Sequence, residues 1–243
     1  AAAPPEARRP TAPSASLAVA TPSRPSGFLR WAGLGGLVYV VLTIVGLFLI
    51  LNGLPAGDAP PAKVVAYFQD SGHRTRIGIG WLLIVIGVFF LLWFVAALRE
   101  LVRAYAGDGL LATVATIGGA VYAALTLVAF SVEQGILTMS DDTYRHGVDP
   151  LLVHAANDMG YVLHSAGGAA IGAAIIAVSL AAIGAAAIPQ WLGWLSAAAG
   201  IVAIFSIFFF PWIVVALWLA IASILVTRAF GRLSAAAAPA RSG

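Results

Sequence analysis

GGAVYAALTLVAF (residues 118–130) repeats, without a gap, seven of the thirteen residues of GGLVYVVLTIVGL (35–47). Apolar composition inflates such matches. The shared frame Gly-Gly-x-Val-Tyr-x-x-Leu-Thr is more than composition. It points to a parallel duplication of a two-helix unit, a pattern found in several membrane transporter folds. The matching echo between the partners of these two segments, the second and fourth apolar stretches, is too weak to carry the same conclusion.

The chain around the repeat is equally apolar. It has 243 residues, 61% hydrophobic and 9% charged, with a mean hydropathy of +0.97. A soluble domain carries about 25% charged residues, so the solvent for this chain is lipid. Residues 31–57, 77–98, 109–132 and 159–227 contain no Asp, Glu, Lys or Arg. At ~1.5 Å per residue a helix needs ~20 residues to cross the hydrocarbon. The first three runs hold one span each, and the last is long enough for three.

The expected fold is therefore an all-α membrane protein with six transmembrane helices over residues 28–232. The spans fall at about 31–53, 77–98, 110–133, 158–186, 191–208 and 212–228. Gly53-Leu54-Pro55, Gly107-Asp108-Gly109 and Pro189-Gln190 supply breaks between them. The last pair is divided because 37 residues in one helix would overshoot the bilayer, although the turn near Phe210-Pro211 is apolar. Lys/Arg bias sets the orientation. With both termini cytoplasmic, Arg8, Arg9, Arg24, Arg30, Arg99, Arg103, Arg228, Arg232 and Arg241 lie inside. Lys63, Arg74, Arg76 and Arg145 lie outside.

The head (1–27), rich in Ala, Pro and Ser, and the tail (233–243) are expected to be disordered. Arg8-Arg9 is followed by no uninterrupted apolar stretch before Arg30, which argues against twin-arginine export. In the first outer loop Asp58 is a candidate cap and Pro60 or Pro61 a first-turn residue. Val64, Tyr67 and Phe68 share a face, and Gly72 ends either a short helix lying on the outer leaflet or an ordinary loop with one helical turn. In the second, Asp149-Pro150 is a helix start signal.

The chemistry concentrates in HAANDMGYVLHS (154–165). At ~100° per residue its polar side chains fall within ~120° of one helix face. Gly168, Gly172 and Ser179 continue that stripe, and Gly168-x-x-x-Gly172 is a close-packing pattern, like Gly118-Gly119 in span three. Tyr122, Thr126 and Glu133 share a face of span three. Counting from the inner ends, Glu133 lies ~36 Å up its helix and His164 ~33 Å up its own, so the two are level.

Three uses of this mouth are open. Glu133, Gln134, Asn157, Tyr161 and His164 form an interfacial hydrogen-bond network. Alternatively, Glu133 and His164, with Asn157, Asp158 and Tyr161, face a cavity and bind a proton, cation or small polar solute. Or His154 and Asp158, at i and i+4, join His164, Glu133 or His146 around a metal. Haem ligation is disfavoured, because His154 and His164 lie ~80° apart on one helix and no facing span carries a His. No Cys is present, which excludes disulfides and thiolate chemistry. Phosphate-loop, G-x-S-x-G and HExxH patterns are missing.

RIGIGWLLIVIGVFFLLWFVAALREL (76–101), NDMGYVLHSAGGAAIGA and IPQWLGWL (188–195) together resemble a bacterial family of uncharacterised six-span integral membrane proteins, common in actinobacteria. Arg76-x-Gly78 and Ile188-Pro189-x-Trp191-Leu192-Gly193 are the motifs that carry the resemblance over about 31–228. It implies a helical membrane fold and no particular activity. The expectation is a protein of the cytoplasmic membrane with no cofactor and no nucleic-acid partner. Its role is non-enzymatic, either handling a small solute or ion or serving as an accessory subunit with a protein partner or as a homo-oligomer. The alternative is a metal-dependent membrane-embedded hydrolase.

Overall fold

The computed structural model describes residues 27–140 and 147–236, the last four by backbone only. Most of the head, the last seven residues and the outer-loop residues 141–146, with Arg145 and His146, lie outside the described residues. Every regular element described is helical: α1 (Gly27–Gly33), α2 (Gly35–Leu51), α3 (Pro61–Gln69), α4 (Ser71–Ala106), α5 (Leu110–Ser140), α6 (Pro150–Gly184), α7 (Gln190–Ala203), a 3₁₀ turn (Ser206–Phe208) and α8 (Phe210–Ala236). The stretches Gly27–Leu51, Ser71–Ala106, Leu110–Ser140, Pro150–Gly184 and Phe210–Arg232 are long and apolar enough to cross a membrane. By length and composition this is a multi-pass membrane protein.

Helix ends follow local chemistry more than hydropathy, so several spans grow beyond their charge-free stretches. Asp70 caps α4, its Oδ1 accepting the His73 amide at 2.8 Å. The helix therefore starts six residues before Ile77, with Gly72 inside it instead of ending α3. Asp58 does not cap α3; Pro60 holds that position. Asp149 caps α6 by accepting the Leu151 amide at 2.8 Å, with Pro150 in the first turn. That makes α6 eight residues longer at its N-terminal end than the expected span. Gly107, at φ 77°, terminates α4, in the left-handed region that glycine enters freely. Of the two readings of the 58–72 segment the helical one holds: α3 is a nine-residue helix, and Val64, Tyr67 and Phe68 are its buried face.

The apolar turn IFFFPW has a specific construction. In a continuous helix the amide of residue 211 would bond the Ile207 carbonyl, but Pro211 has no N–H and its ring clashes there. The Ile207 carbonyl instead accepts the Tyr161 hydroxyl from α6, and Phe209 turns the chain at φ 65°. The expected fifth span is thus a 14-residue helix, α7, extended by a turn and the 3₁₀ segment.

The duplication extends to tertiary packing. In the first hairpin a Cβ on Gly80 would lie 2.6 Å from the Gly46 carbonyl oxygen, and one on Gly87 would meet Leu42 and Tyr39 at 3.4 Å. In the second, Gly160 backs onto the Ala129 carbonyl at 3.1 Å, and Gly167 meets Tyr122 at 3.1 Å and Leu125 at 3.6 Å. Gly35 abuts the Phe90 carbonyl just as Gly118 abuts the Ala170 carbonyl. A shift of 83 residues maps α2 onto α5, and a shift of 80 maps α4 onto α6. All the buried positions of α4 except Ile77 and Leu98 have buried counterparts in α6 under that shift. At the meeting point of the two halves, the Tyr39 and Tyr122 hydroxyls lie 3.1 Å apart. The second and fourth spans, whose sequences barely match, are structural repeats.

The halves do not close symmetrically. α4 packs directly on α5, whereas α2 packs on α4 and α8 but not on α6. α7 lies antiparallel along α6: Gly193 meets Ile183, Gly200 meets Ile176, and Gly168 meets the Ala203 carbonyl and Ser206. The small-residue stripe Gly168–Gly172–Ser179 therefore belongs to α7, not to α5. The face that meets α5 carries Gly160, Gly167, Ala170 and Ala174 instead. Ser179 and Ser196 share a 2.6 Å hydrogen bond, and the Trp218 indole donates to Ser196 at 2.7 Å, tying α6, α7 and α8 together.

Candidate functional site

Where α2 stands away from α6, a cavity of about 650 Å³ opens between α2, α5, α6 and α8, within the size range of small-molecule sites. One end is Tyr39, Tyr122 and Leu219; the other is Glu133, Asn157, Asp158 and Tyr161. Eleven residues of α5 separate Tyr122 from Glu133, so the slot runs ~16 Å along the helices. The wall between these ends is mostly aliphatic.

Glu133 is placed by Gly160. A Cβ at residue 160 would sit 2.5 Å from Glu133 Oε1, so glycine opens the space its carboxyl occupies. No described group hydrogen-bonds or pairs with that carboxyl. His164 is one turn further in on α6, 8% exposed. The Trp212 ring lies edge-on at 4.4 Å, and Phe130 and Tyr122 lie at 5.8 Å. Its Nδ1 has no hydrogen-bond partner.

The two ionisable groups expected to meet do line one cavity. They make no ion pair, because Glu133 is level with Gly160, about one turn (~5 Å) outward of His164. Counting from helix ends placed them at equal height only because it ignored the stagger that close packing imposes. Nor do the polar residues form a network with one another. Tyr161 donates to the Ile207 carbonyl, Gln134 Oε1 is buried without a partner, and Gln134 is not among the residues of the cavity wall. Asn157 and Asp158 line the cavity at its Glu133 end, while His154, half-buried, stands about a turn beyond them. Among the described residues no group of three His, Asp or Glu side chains lies close enough to hold a metal ion. His154, Asp158 and His164 are therefore not gathered, and His146 lies outside the described residues. Gly118 and Gly119 are close-packing positions as expected, the first against Ala170 and Ala174 of α6, the second against Val95 of α4.

The repeat gives these residues a reference. Under its two shifts, Glu133 corresponds to Ile50 and His164 to Ile84. The geometry agrees, since Gly80 makes room for Ile50 as Gly160 does for Glu133. Ile84 is fully buried and Ile50 nearly so. One hairpin fills these positions with isoleucine; its copy fills them with a carboxylate and an imidazole.

Sequence reasoning missed the Tyr39–Tyr122 floor and the Trp212 wall. The first was legible in the repeat, whose tyrosines occupy equivalent positions. The second needed the α8 register. Arg76, half of the Arg76-x-Gly78 motif, is a clasp: it donates to the Asn52 carbonyl and to the Tyr67 hydroxyl, pinning α3 over the end of α2. His73 stacks on Tyr67 at 4.2 Å in the same assembly. No family model, curated protein or solved structure matches the chain, so the family resemblance rests on its motifs.

Proposed function

We propose that this is a cytoplasmic-membrane protein of six crossings, with both termini in the cytoplasm. In this proposal its outward-opening cavity binds a small solute or ion at Glu133 and His164, without chemical turnover. The depth of α7 supports the sixth crossing. From Gly193 beside Ile183 to Ser206 beside Gly168, the 190–208 segment follows α6 over 15 residues of that helix, or ~22 Å, and the Tyr161 side chain reaches its Ile207 carbonyl beyond that. The arginine distribution supports the orientation.

One observation carries the functional reading. Packing at these two positions is satisfied by isoleucine in the first hairpin, yet the second places ionisable groups there, unpaired and facing a cavity. Polar groups at membrane depth are costly without partners. A cost that the fold does not require points to ligand binding.

The chain has no cysteine, so single cysteines test the proposal directly. Glu133→Cys and His164→Cys should react in intact cells with a membrane-impermeant methanethiosulfonate, as should Gln69→Cys on α3. Asp108→Cys should react only after permeabilisation. Failure of both cavity positions to react from outside, or reaction of Asp108→Cys in intact cells, would overturn it.

A further inference from the structure

We infer that the ligand of this cavity is a cationic amphiphile, an alkyl body carrying a protonated amine, entering from the outer leaflet between α2 and α8; this rests on the cavity being a ligand site, as proposed above. Three features of the cavity select this chemistry.

The first is charge. Glu133 and Asp158 line the outer end, and among the described residues no Lys or Arg lines the cavity. A carboxylate or phosphate headgroup would meet like charge and no cation. An ammonium group would meet the unpaired Glu133 carboxylate. The second is the aromatic enclosure. Tyr161, Trp212, Phe209 and Phe130 line the same outer half, with Tyr161 and Trp212 centroids 5.4 Å apart and Phe209 and Trp212 5.3 Å apart. Ring faces attract a desolvated cation, most strongly for Trp and Tyr. The neutral form of the adjacent imidazole, with Nδ1 unpartnered, offers a further hydrogen-bond site to the amine.

The third is the shape of the opening. α2 touches α8 at its inner half, where Gly36 abuts Ser223, just after Gly33 at the end of α1 abuts Thr227. Further out they part. Ile44 and Leu51 of α2, with Ile213 and Leu217 of α8, line the cavity yet are 55 to 58% exposed. The cavity is a fissure in the side of the bundle, greasy along ~16 Å and polar at one end. A small hydrophilic ion uses only the rim of such a space; an amphiphile uses all of it.

The test uses the full chain in phosphatidylcholine nanodiscs at neutral pH, where an alkylamine is protonated. Affinity is read from the concentration dependence of the unfolding temperature. Three probes are compared: dodecylammonium, laurate of the same chain length, and tetramethylammonium. Dodecylammonium should bind, with laurate and tetramethylammonium each at least about tenfold weaker. Glu133→Gln should reduce dodecylammonium affinity about tenfold. Glu133→Ile, which copies the first hairpin, should do the same. Laurate binding as tightly as the amine overturns the inference. So does tetramethylammonium matching dodecylammonium, which would leave the proposed solute site standing. Dodecylammonium affinity unchanged in both Glu133 variants removes the inference and the Glu133 site together.

Discussion

The Tyr39 and Tyr122 hydroxyls lie 3.1 Å apart, with their rings edge to face at 82°, and join equivalent positions of two helical hairpins across 83 residues. Each ring also packs on the glycine of its own hairpin, Gly87 or Gly167. This bond is buried, so losing one partner leaves the other hydroxyl only the neighbouring threonines, Thr126 for either ring and Thr43 for Tyr39. Tyr39→Phe and Tyr122→Phe should each destabilise by about 1 kcal/mol. The double variant should cost little more than either single one. Reversible SDS unfolding in mixed micelles would measure the cycle; strict additivity would deny the coupling.

The repeat predicts an asymmetry between its halves. Glu133→Ile and His164→Ile copy residues that the first hairpin already accommodates, and stability should change by less than about 1.5 kcal/mol. The reverse substitution Ile84→His buries a polar group in a packed interface, since Ile84 does not line the cavity. Ile84 is fully buried, so Ile84→His should cost at least about 2 kcal/mol. The same unfolding assay decides it, and equal costs in both directions would refute the comparison.

The contact of α6 with α7 depends on missing side chains. A Cβ at Gly172 would strike the Gly200 carbonyl, and one at Gly168 the Ala203 carbonyl and Ser206. Backbone atoms cannot swing aside. Gly172→Val should destabilise by about 2 kcal/mol or more. Gly78→Ala meets nothing within 4 Å and should be neutral or slightly stabilising, since alanine favours helix. Thermal unfolding of the two variants, side by side, would separate a packing role from a general intolerance of substitution.

Tyr161 holds the apolar turn before α8. Tyr161→Phe leaves the Ile207 carbonyl, which Pro211 cannot serve, without its hydroxyl donor. A loss of about 1–2 kcal/mol is expected. Faster hydrogen exchange at Phe208, Phe209 and Trp212 amides should accompany it, because their bonds lie in the same turn.

At the N-terminal end of α4, acceptance of the His73 amide holds the Asp70 carboxyl below its ordinary value, with smaller help from the charge of His73 and Arg74. A carboxyl depressed by folding contributes stability above its unfolded value and loses it as pH falls through the folded one. Asp70→Ala should therefore weaken the first turn of α4 at neutral pH and make little difference in strong acid. Exchange of the His73 amide across that range would show whether the gap closes.

Lipid solubility, the helical class and several start and stop signals were legible along the chain, because they depend on local quantities. Charge-free runs longer than the hydrocarbon is thick, Asp149-Pro150 as a start and Gly107 as a stop each act within a few residues. The tyrosine–glycine repeat was also visible in α2 and α5. It was invisible in α4 and α6, where Phe94 and Ala174, or Ile84 and His164, hold equivalent places. Packing preserved the backbone approaches at Gly80, Gly87, Gly160 and Gly167 while the intervening side chains diverged. Only the tertiary structure decided that the small stripe of α6 serves α7, that Glu133 sits a turn above His164, and that α2 parts from α6 to leave a cavity. Helical periodicity tells which residues share a face; it cannot tell which neighbour that face meets, because in lipid every apolar face is equally soluble and close packing alone chooses among them.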